Sequence, residues 1–328
     1  MSKHLLTLLA AIGFSFATGA LAQPTLNLIT SYPKGALLNE PMQKFVDELN
    51  ERGKGVVRIR IVGGPEVTPV SEQYGSVARG INQIYYGSIS YCQGQIDESR
   101  ALVLSDYDVT ELRKRGSIDK LAKYFEKKPK LHYLAYFGSG YTFYIYLNKE
   151  PKRTGDGVDL TGMRVRGPSI WQPVIVNLKA APVNVEVGEM YTALERGAID
   201  GIGWLDVGLT DFSWQKHLKY RITPNFWRGD VSLVINQAAW EALPKQAKDV
   251  LTQVALKHEP LAHTFLRGRA DEELKKLRAA GVQDIELKGA ARESHLRAAN
   301  EALWKIIEDK SGKETRAELE AAFTSRGK

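Results

Sequence analysis

Apolar and polar positions fall into stretches with distinct periods along this chain. Thr25 to Thr30 (TLNLIT) reads as a short strand. Asn39 then stands where a helix N-cap is expected, and Met42, Phe45, Val46 and Leu49 follow at i, i+3, i+4 and i+7, which puts one apolar stripe on a helix. Gly53 ends that helix, and Val56 to Val62 (VVRIRIV) alternates apolar with basic residues as a strand with one buried face does. Strand, helix and strand in succession predict a βαβ unit and hence a parallel sheet. From Ala238 onward the period turns helical: Trp240 to Leu243 precedes Pro244, and amphipathic runs cover Gln246 to Leu266, Ala270 to Ala280 and Ala290 to Ile307. The Lys, Arg and Glu residues interleaved in those runs are read as solvated helix faces.

Two distant stretches share a template. Ser71 to Gly87 (SEQYGSVARGINQIYYG) and Gly188 to Trp204 (GEMYTALERGAIDGIGW) align without gaps, so that Glu72, Tyr74, Arg79 and Gly80 match Glu189, Tyr191, Arg196 and Gly197. Each copy reads as a short helix closed by Arg-Gly that feeds a strand. The glycine supplies the left-handed conformation that ends a helix, and the arginine complements the helix dipole. The repeat predicts two similar α/β lobes with a cleft between them, where a ligand would lie beyond the carboxyl ends of the strands.

Composition and charge narrow the class. A chain of 328 residues with 43% hydrophobic and 25% charged residues is neither disordered nor collagen-like, and it can bury a sizeable core in two lobes. A formal net charge of +7 raises nucleic acid as a partner, but the N-terminus points elsewhere. Residues 1–22 read as a secretory signal: Lys3 and His4 are basic, Leu5 to Phe16 is almost wholly apolar, and Ala20-Leu21-Ala22 offers the small-residue cleavage pattern. The apolar run is shorter than the ~20 residues that span a bilayer. Cleavage would start the mature chain at Gln23, with no cysteine there to carry a lipid. The single cysteine, Cys92, excludes an intrachain disulfide and is expected to be a buried structural thiol. The expectation is an exported protein, periplasmic in a Gram-negative cell, with no nucleic-acid partner and a weak attraction for anionic solutes.

Catalytic signatures are scarce. There is no G-x-S-x-G, H-E-x-x-H, C-x-x-C or G-x-x-x-x-G-K-[ST], and the histidines are scattered. What stands out is Leu160 to Pro168 (LTGMRVRGP), a strand with Arg164 and Arg166 on one face and Val165 on the other. Arg166 lies at its end, where Gly167-Pro168 breaks it, so it is either a surface arginine or one that reaches a cleft. A guanidinium matches a carboxylate with two parallel hydrogen bonds, and a charge-assisted bond contributes roughly 1.5–3 kcal/mol.

The run Asp159 to Gly201 (DLTGMRVRGPSIWQPVIVNLKAAPVNVEVGEMYTALERGAIDG) resembles the core signature of the solute-binding proteins of tripartite ATP-independent periplasmic (TRAP) transporters. In these an arginine-bearing strand is followed by a helix, an A-x-P-V strand (here Ala180 to Val183) and a G-E-x-Y-x-A-L segment that ends in Asp-Gly. The resemblance extends upstream through Asn148-Lys149-Glu150-Pro151, and downstream from Val234-Ile235-Asn236 to Trp240 and Leu243-Pro244. It implies an α/β, two-lobed periplasmic binding protein fold with crossing hinge strands and a long bridging helix. Residues 23–146 with 229–265 would form one lobe, and 147–228 with 266–328 the other. It further implies a receptor, not an enzyme, that needs no cofactor, is expected to be monomeric, and delivers an organic acid to a TRAP membrane permease.

Within the resemblance, Arg166 matches the position that clamps the ligand carboxylate. Two departures bear on specificity. Phe143 falls near the place of a second arginine found in members that bind sugar acids, and Ile202-Gly203-Trp204 replaces a Gln-Glu-Asn whose asparagine also touches ligand. Trp204 looks like the branch that binds 2-oxo and 2-hydroxy acids, where an acidic residue that in some members helps hold a cation precedes the tryptophan. That residue is Gly203 here, so no metal is expected. Trp171 and Trp227 are either further wall or core, and the Tyr86 hydroxyl serves either the core or the cleft. The ligand expected is an organic monocarboxylate, with an aromatic 2-oxo or 2-hydroxy acid such as benzoylformate or mandelate leading. A sugar acid such as a uronate, an aliphatic 2-oxo acid, a signalling receptor, or a secreted enzyme using Asp200 or Asp206 are the alternatives.

Overall fold

The computed structural model describes residues 23–325 except 93 and 129, so the expected signal segment lies outside the described residues. Strand β1 (Thr25–Thr30) runs into helix α1 (Glu40–Arg52), which returns the chain as β2 (Arg58–Gly63), parallel to β1 with Thr25 opposite Arg58. The βαβ opening forms because Met42, Phe45, Val46 and Leu49 make one buried stripe on α1, and each such side chain taken from water contributes roughly 1.5–3 kcal/mol. Asn39 precedes α1 but makes no side-chain cap. Its Oδ1 instead accepts from Thr30 Oγ1 at 2.7 Å and its Nδ2 donates to the Pro33 carbonyl at 2.9 Å, which fixes the loop leaving β1.

Helix α2 (Val70–Ala78) feeds β3 (Ile84–Ser88), and α3 (Arg100–Val103), α4 (Val109–Lys114) and α5 (Ser117–Lys127) lead to β4 (Leu131–Tyr136). The chain then crosses into a second sheet as β5 (Phe143–Leu147) and makes a small hairpin, β6 (Lys152–Thr154) with β7 (Gly157–Asp159). Strand β8 (Arg164–Arg166), helix α6 (Gln172–Asn177), strand β9 (Ala181–Val183), helix α7 (Met190–Glu195), and strands β10 (Gly201–Leu205) and β11 (Tyr220–Thr223) complete that part. Strand β12 (Val231–Asn236) crosses back, followed by α8 (Gln237–Glu241), α9 (Lys245–Ala279), β13 (Gln283–Glu286), α10 (Gly289–Ser311) and α11 (Lys313–Phe323).

The first sheet has the order β2-β1-β3-β12-β4 and the second β9-β8-β10-β5-β11-β13. Superposed in that order, the parallel pairs β2/β1 and β1/β3 match β9/β8 and β8/β10, and the antiparallel pairs β3/β12 and β12/β4 match β10/β5 and β5/β11. The sequence repeat is therefore structural: α2 and α7 end at Arg79 and Arg196, Gly80 and Gly197 take φ of +75° and +65°, and each feeds the middle of its sheet. In both sheets the strand inserted antiparallel, β12 or β5, comes from a crossing segment. The two crossings touch where Thr142 bridges Arg228.

Three features differ from the sequence reading. The runs Gln246–Leu266 and Ala270–Ala280 are one helix, α9, because Arg267-Gly268-Arg269 continues the helix, and a helical glycine costs only about 1 kcal/mol. Helix α11, unread in the sequence, packs on α5 and α3 of the first lobe. The division of the chain also shifts. Strand β5 joins the second sheet from Phe143, before residue 147, and the segment 266–328 is shared, since α10 packs on both α3 and α6.

Candidate ligand-binding site

A cavity of about 240 Å³ lies where the two sheets face each other. The ends of the parallel strands line it: Tyr32 just past β1, Ser88 closing β3, Arg166 closing β8, and Trp204 and Leu205 closing β10. This is the place where α/β sheets hold ligands, because backbone and side chains there point out of the sheet into a crevice.

Arg166 is fixed by pairing with Val183 on one side and Ile202 on the other. Its Nε donates to the Val185 carbonyl at 2.9 Å, and among the described residues Nη1 and Nη2 have no hydrogen-bond partner. The side chain is only 7% exposed and its Cζ lies 5.7 Å from the Trp204 ring. Burial pulls its pKa below the ordinary arginine range, with Glu186 and Tyr91 opposing that pull. A desolvated guanidinium whose fork makes no protein hydrogen bond has the chemistry to accept a carboxylate through two parallel hydrogen bonds. Arg164, on the same strand face, is spent otherwise: its Nε meets Asp200 at 3.2 Å and its Nη2 donates to the Gly197 carbonyl at 2.5 Å.

The second lobe supplies an aromatic wall. Trp171 is nearly buried and makes edge contacts with Phe143, Phe226 and Trp227 at centroid distances of 5.5, 5.3 and 5.5 Å. Its ring rests on Gly203, where an added Cβ would stand 2.2 Å from Cε3. Trp227 is anchored by its Nε1 donating to the Ala299 carbonyl at 3.2 Å, and Trp204 leans on Trp214 at 4.9 Å. The cavity thus brings together Arg166, Phe143, Trp171, Trp204 and Trp227. Tyr86 stays outside: it is buried in the first lobe and its hydroxyl donates to the Leu38 carbonyl at 2.7 Å, holding from behind a residue that lines the cavity.

The first lobe adds groups that the sequence did not disclose. Asp230 lines the cavity and accepts from Ser88 Oγ at 2.7 Å, Ser90 N at 2.8 Å and Ser90 Oγ at 2.5 Å. Burial pushes its carboxyl up from the usual range while these three donors oppose the shift. Tyr91 stands at the mouth, its hydroxyl pushed up by burial and acted on by both Asp230 and Arg166. The repeat gave no signal for them: Ser88 lies one place beyond the aligned segments, opposite Leu205, which carries no polar group.

The carboxylates considered for catalysis are committed elsewhere. Asp200 accepts from Lys149 Nζ and the Arg164 amide, both at 2.8 Å. Asp206 accepts from Thr142 N at 3.0 Å, Thr142 Oγ1 at 2.8 Å and Arg267 at 3.2 Å. Among the described residues no three His, Cys, Asp or Glu side chains converge as a metal ion requires. Cys92 is buried beside the first sheet, where burial pushes its thiol well up and makes it inert.

Residues 30–310 match the family described as bacterial extracellular solute-binding protein, family 7. The chain belongs to this family. It is a TRAP-type periplasmic solute receptor, not an enzyme. It is 21% identical over 311 residues, 90% of each chain, to a solute-binding protein of Albidiferax ferrireducens. A monocarboxylate 2-oxoacid-binding periplasmic protein of Nostoc is 27% identical over 164 residues, 48% of this chain and 43% of the relative. A TRAP solute-binding protein of Ralstonia eutropha, solved with bound (S)-2-acetolactate, superposes with a TM-score of 0.72 at 19% identity, covering 91% of this chain and 98% of its own. In this family-7 receptor Phe143 at the start of β5 and Asp230 just before β12 both line the cavity.

Proposed function

We propose that this receptor binds a monocarboxylate bearing a bulky apolar, aromatic substituent, an aromatic 2-oxo or 2-hydroxy acid such as benzoylformate or mandelate, and hands it to a TRAP membrane permease. One observation carries the reading: a buried arginine with both Nη groups free faces a wall of Phe143, Trp171, Trp204 and Trp227. A single cationic fork fits one carboxylate, and the apolar wall gives a sugar acid's many hydroxyls few partners on that side. The 2-oxoacid-binding relative and the acetolactate-bound relative support an acid substituted at the carbon next to the carboxylate. Closure of the lobes would exclude water and strengthen the arginine–carboxylate pair.

A thermal-shift panel of aromatic 2-oxo and 2-hydroxy acids, aliphatic 2-oxo acids and uronates tests this. Ligand at 100 times its Kd stabilises by about 2.7 kcal/mol, a shift of several degrees. The largest shifts are expected with the aromatic acids. A shift with uronates alone refutes the aromatic reading.

A further inference from the structure

We propose that the first-lobe wall of the cavity is a hydrogen-bond acceptor surface that selects a 2-hydroxy acid over the matching 2-oxo acid. This rests on the proposed binding of the carboxylate at Arg166. The cavity is electrically asymmetric. Arg166 lines it from the second lobe, while Asp230, Ser88 and Ser90 line it from the first. Both serine hydroxyl protons are used up: Ser88 Oγ donates to Asp230 Oδ1 at 2.7 Å and Ser90 Oγ to Oδ2 at 2.5 Å, while the Ser90 amide also donates to Oδ2 at 2.8 Å. Three donors converging at these lengths on two oxygens favour the acceptor-only form of a carboxyl that burial pushes the other way.

A serine whose proton is committed offers its surroundings only oxygen lone pairs. Ser88 Oγ receives one longer contact, from the Ser90 amide at 3.2 Å, and keeps a second lone pair. Asp230 makes no salt bridge among the described residues, and its two oxygens lie within hydrogen-bond length of the serine oxygens, so its charge is felt most strongly there. A ligand hydroxyl placed there donates toward that charge. A keto oxygen at the same place would set lone pair against lone pair, and an unmatched polar contact in a desolvated site is costly. Tyr32 and Tyr141 also line the cavity, and a phenol hydroxyl can donate or accept, so it sets no preference of its own.

The test is calorimetric titration of the purified protein with acids paired to differ only at the carbon next to the carboxylate: mandelate with benzoylformate, and 2-hydroxyisocaproate with 2-oxoisocaproate. The hydroxy acid of each pair is expected to bind about tenfold more tightly. Ser88→Ala and Ser90→Ala should bring the two within about threefold of each other by removing an acceptor oxygen. Asp230→Asn should invert the preference, because an amide Nδ2 can donate to a serine and release that hydroxyl's proton toward the cavity. A purely structural role for Asp230 would change both affinities together. Thermal melts confirm that each variant is folded, and the wild-type ratio decides even if none is. An oxo acid binding as tightly as its hydroxy partner in either pair overturns the inference. Isocaproates binding better than their aromatic counterparts overturns the aromatic reading instead, and no binding by any acid overturns both.

Discussion

Adding one methyl group to Gly203 tests how the aromatic wall is built. An ideal Cβ there lies 2.2 Å from Trp171 Cε3 and 2.3 Å from Cζ3, whereas carbons rest at about 3.5–4.0 Å. The indole must retreat by more than about 1 Å, and most directions are closed. Phe143, Phe226 and Trp227 hold its edges at 5.3 to 5.5 Å, and Gly167 sits under its Cβ with room for no side chain. The open direction is the cavity, whose volume is only about 240 Å³. Gly203→Ala should therefore cost about 1–3 kcal/mol of stability by overpacking, read as roughly 2–4 °C of melting temperature per kcal/mol. It should also weaken mandelate or benzoylformate at least tenfold while leaving a small acid such as pyruvate within about threefold, because the displaced ring takes the space of the larger substituent. Pairing it with Trp171→Phe should restore stability beyond the sum of the single changes, as coupled neighbours do. If Gly203→Ala melts and binds like the parent, the ring is not confined over residue 203 and the account of the wall is wrong.

Arg166→Ala should abolish carboxylate binding, a loss of about 2–5 kcal/mol seen by calorimetry, without lowering the melting temperature, since the guanidinium makes one protein hydrogen bond and is desolvated. Arg166→Lys should recover little, lacking the planar fork. Burial lowers His295 from its usual 6.5 to about 4, and neither ring nitrogen has a hydrogen-bond partner among the described residues. The unfolded chain therefore takes up the proton first, and stability is present above pH 6.5 and falls by about 3 kcal/mol as the pH drops to about 4; His295→Leu should flatten that part of a pH–melting curve. Arg113 forms the partner of buried Glu259 on α9, at 2.7 Å and 2.9 Å. Arg113→Met should destabilise by about 3–5 kcal/mol in urea unfolding by stranding that carboxylate, and an unchanged midpoint would show that the pair is not felt.

The opening βαβ unit, the paired helix–glycine–strand segments and the strand that ends at Arg166 were all legible in the sequence, because each element in them is specified by residues close to one another along the chain. An apolar stripe at helical spacing specifies which face of α1 is buried wherever the helix lies, and an Arg-Gly terminus closes a helix in either lobe. The family signature added the crossing hinge strands, the long bridging helix and the expectation that Arg166 meets a carboxylate.

The rest depended on contacts that no local pattern encodes. Arg164 and Arg166 share a strand face, and nothing in their periodicity shows that Asp200 pairs with Arg164 and not with Arg166. Tyr86 and Trp204 fall within the same repeat, but only Trp204 faces the cavity. Ser88 meets Asp230 across 142 residues because β12 is inserted beside β3 by the second crossing of the chain. Periodicity along a chain fixes what each element hides and shows. Sheet order, set by the packing of distant segments, fixes which strand ends meet, and in this protein the cavity that carries Arg166 is made where they do.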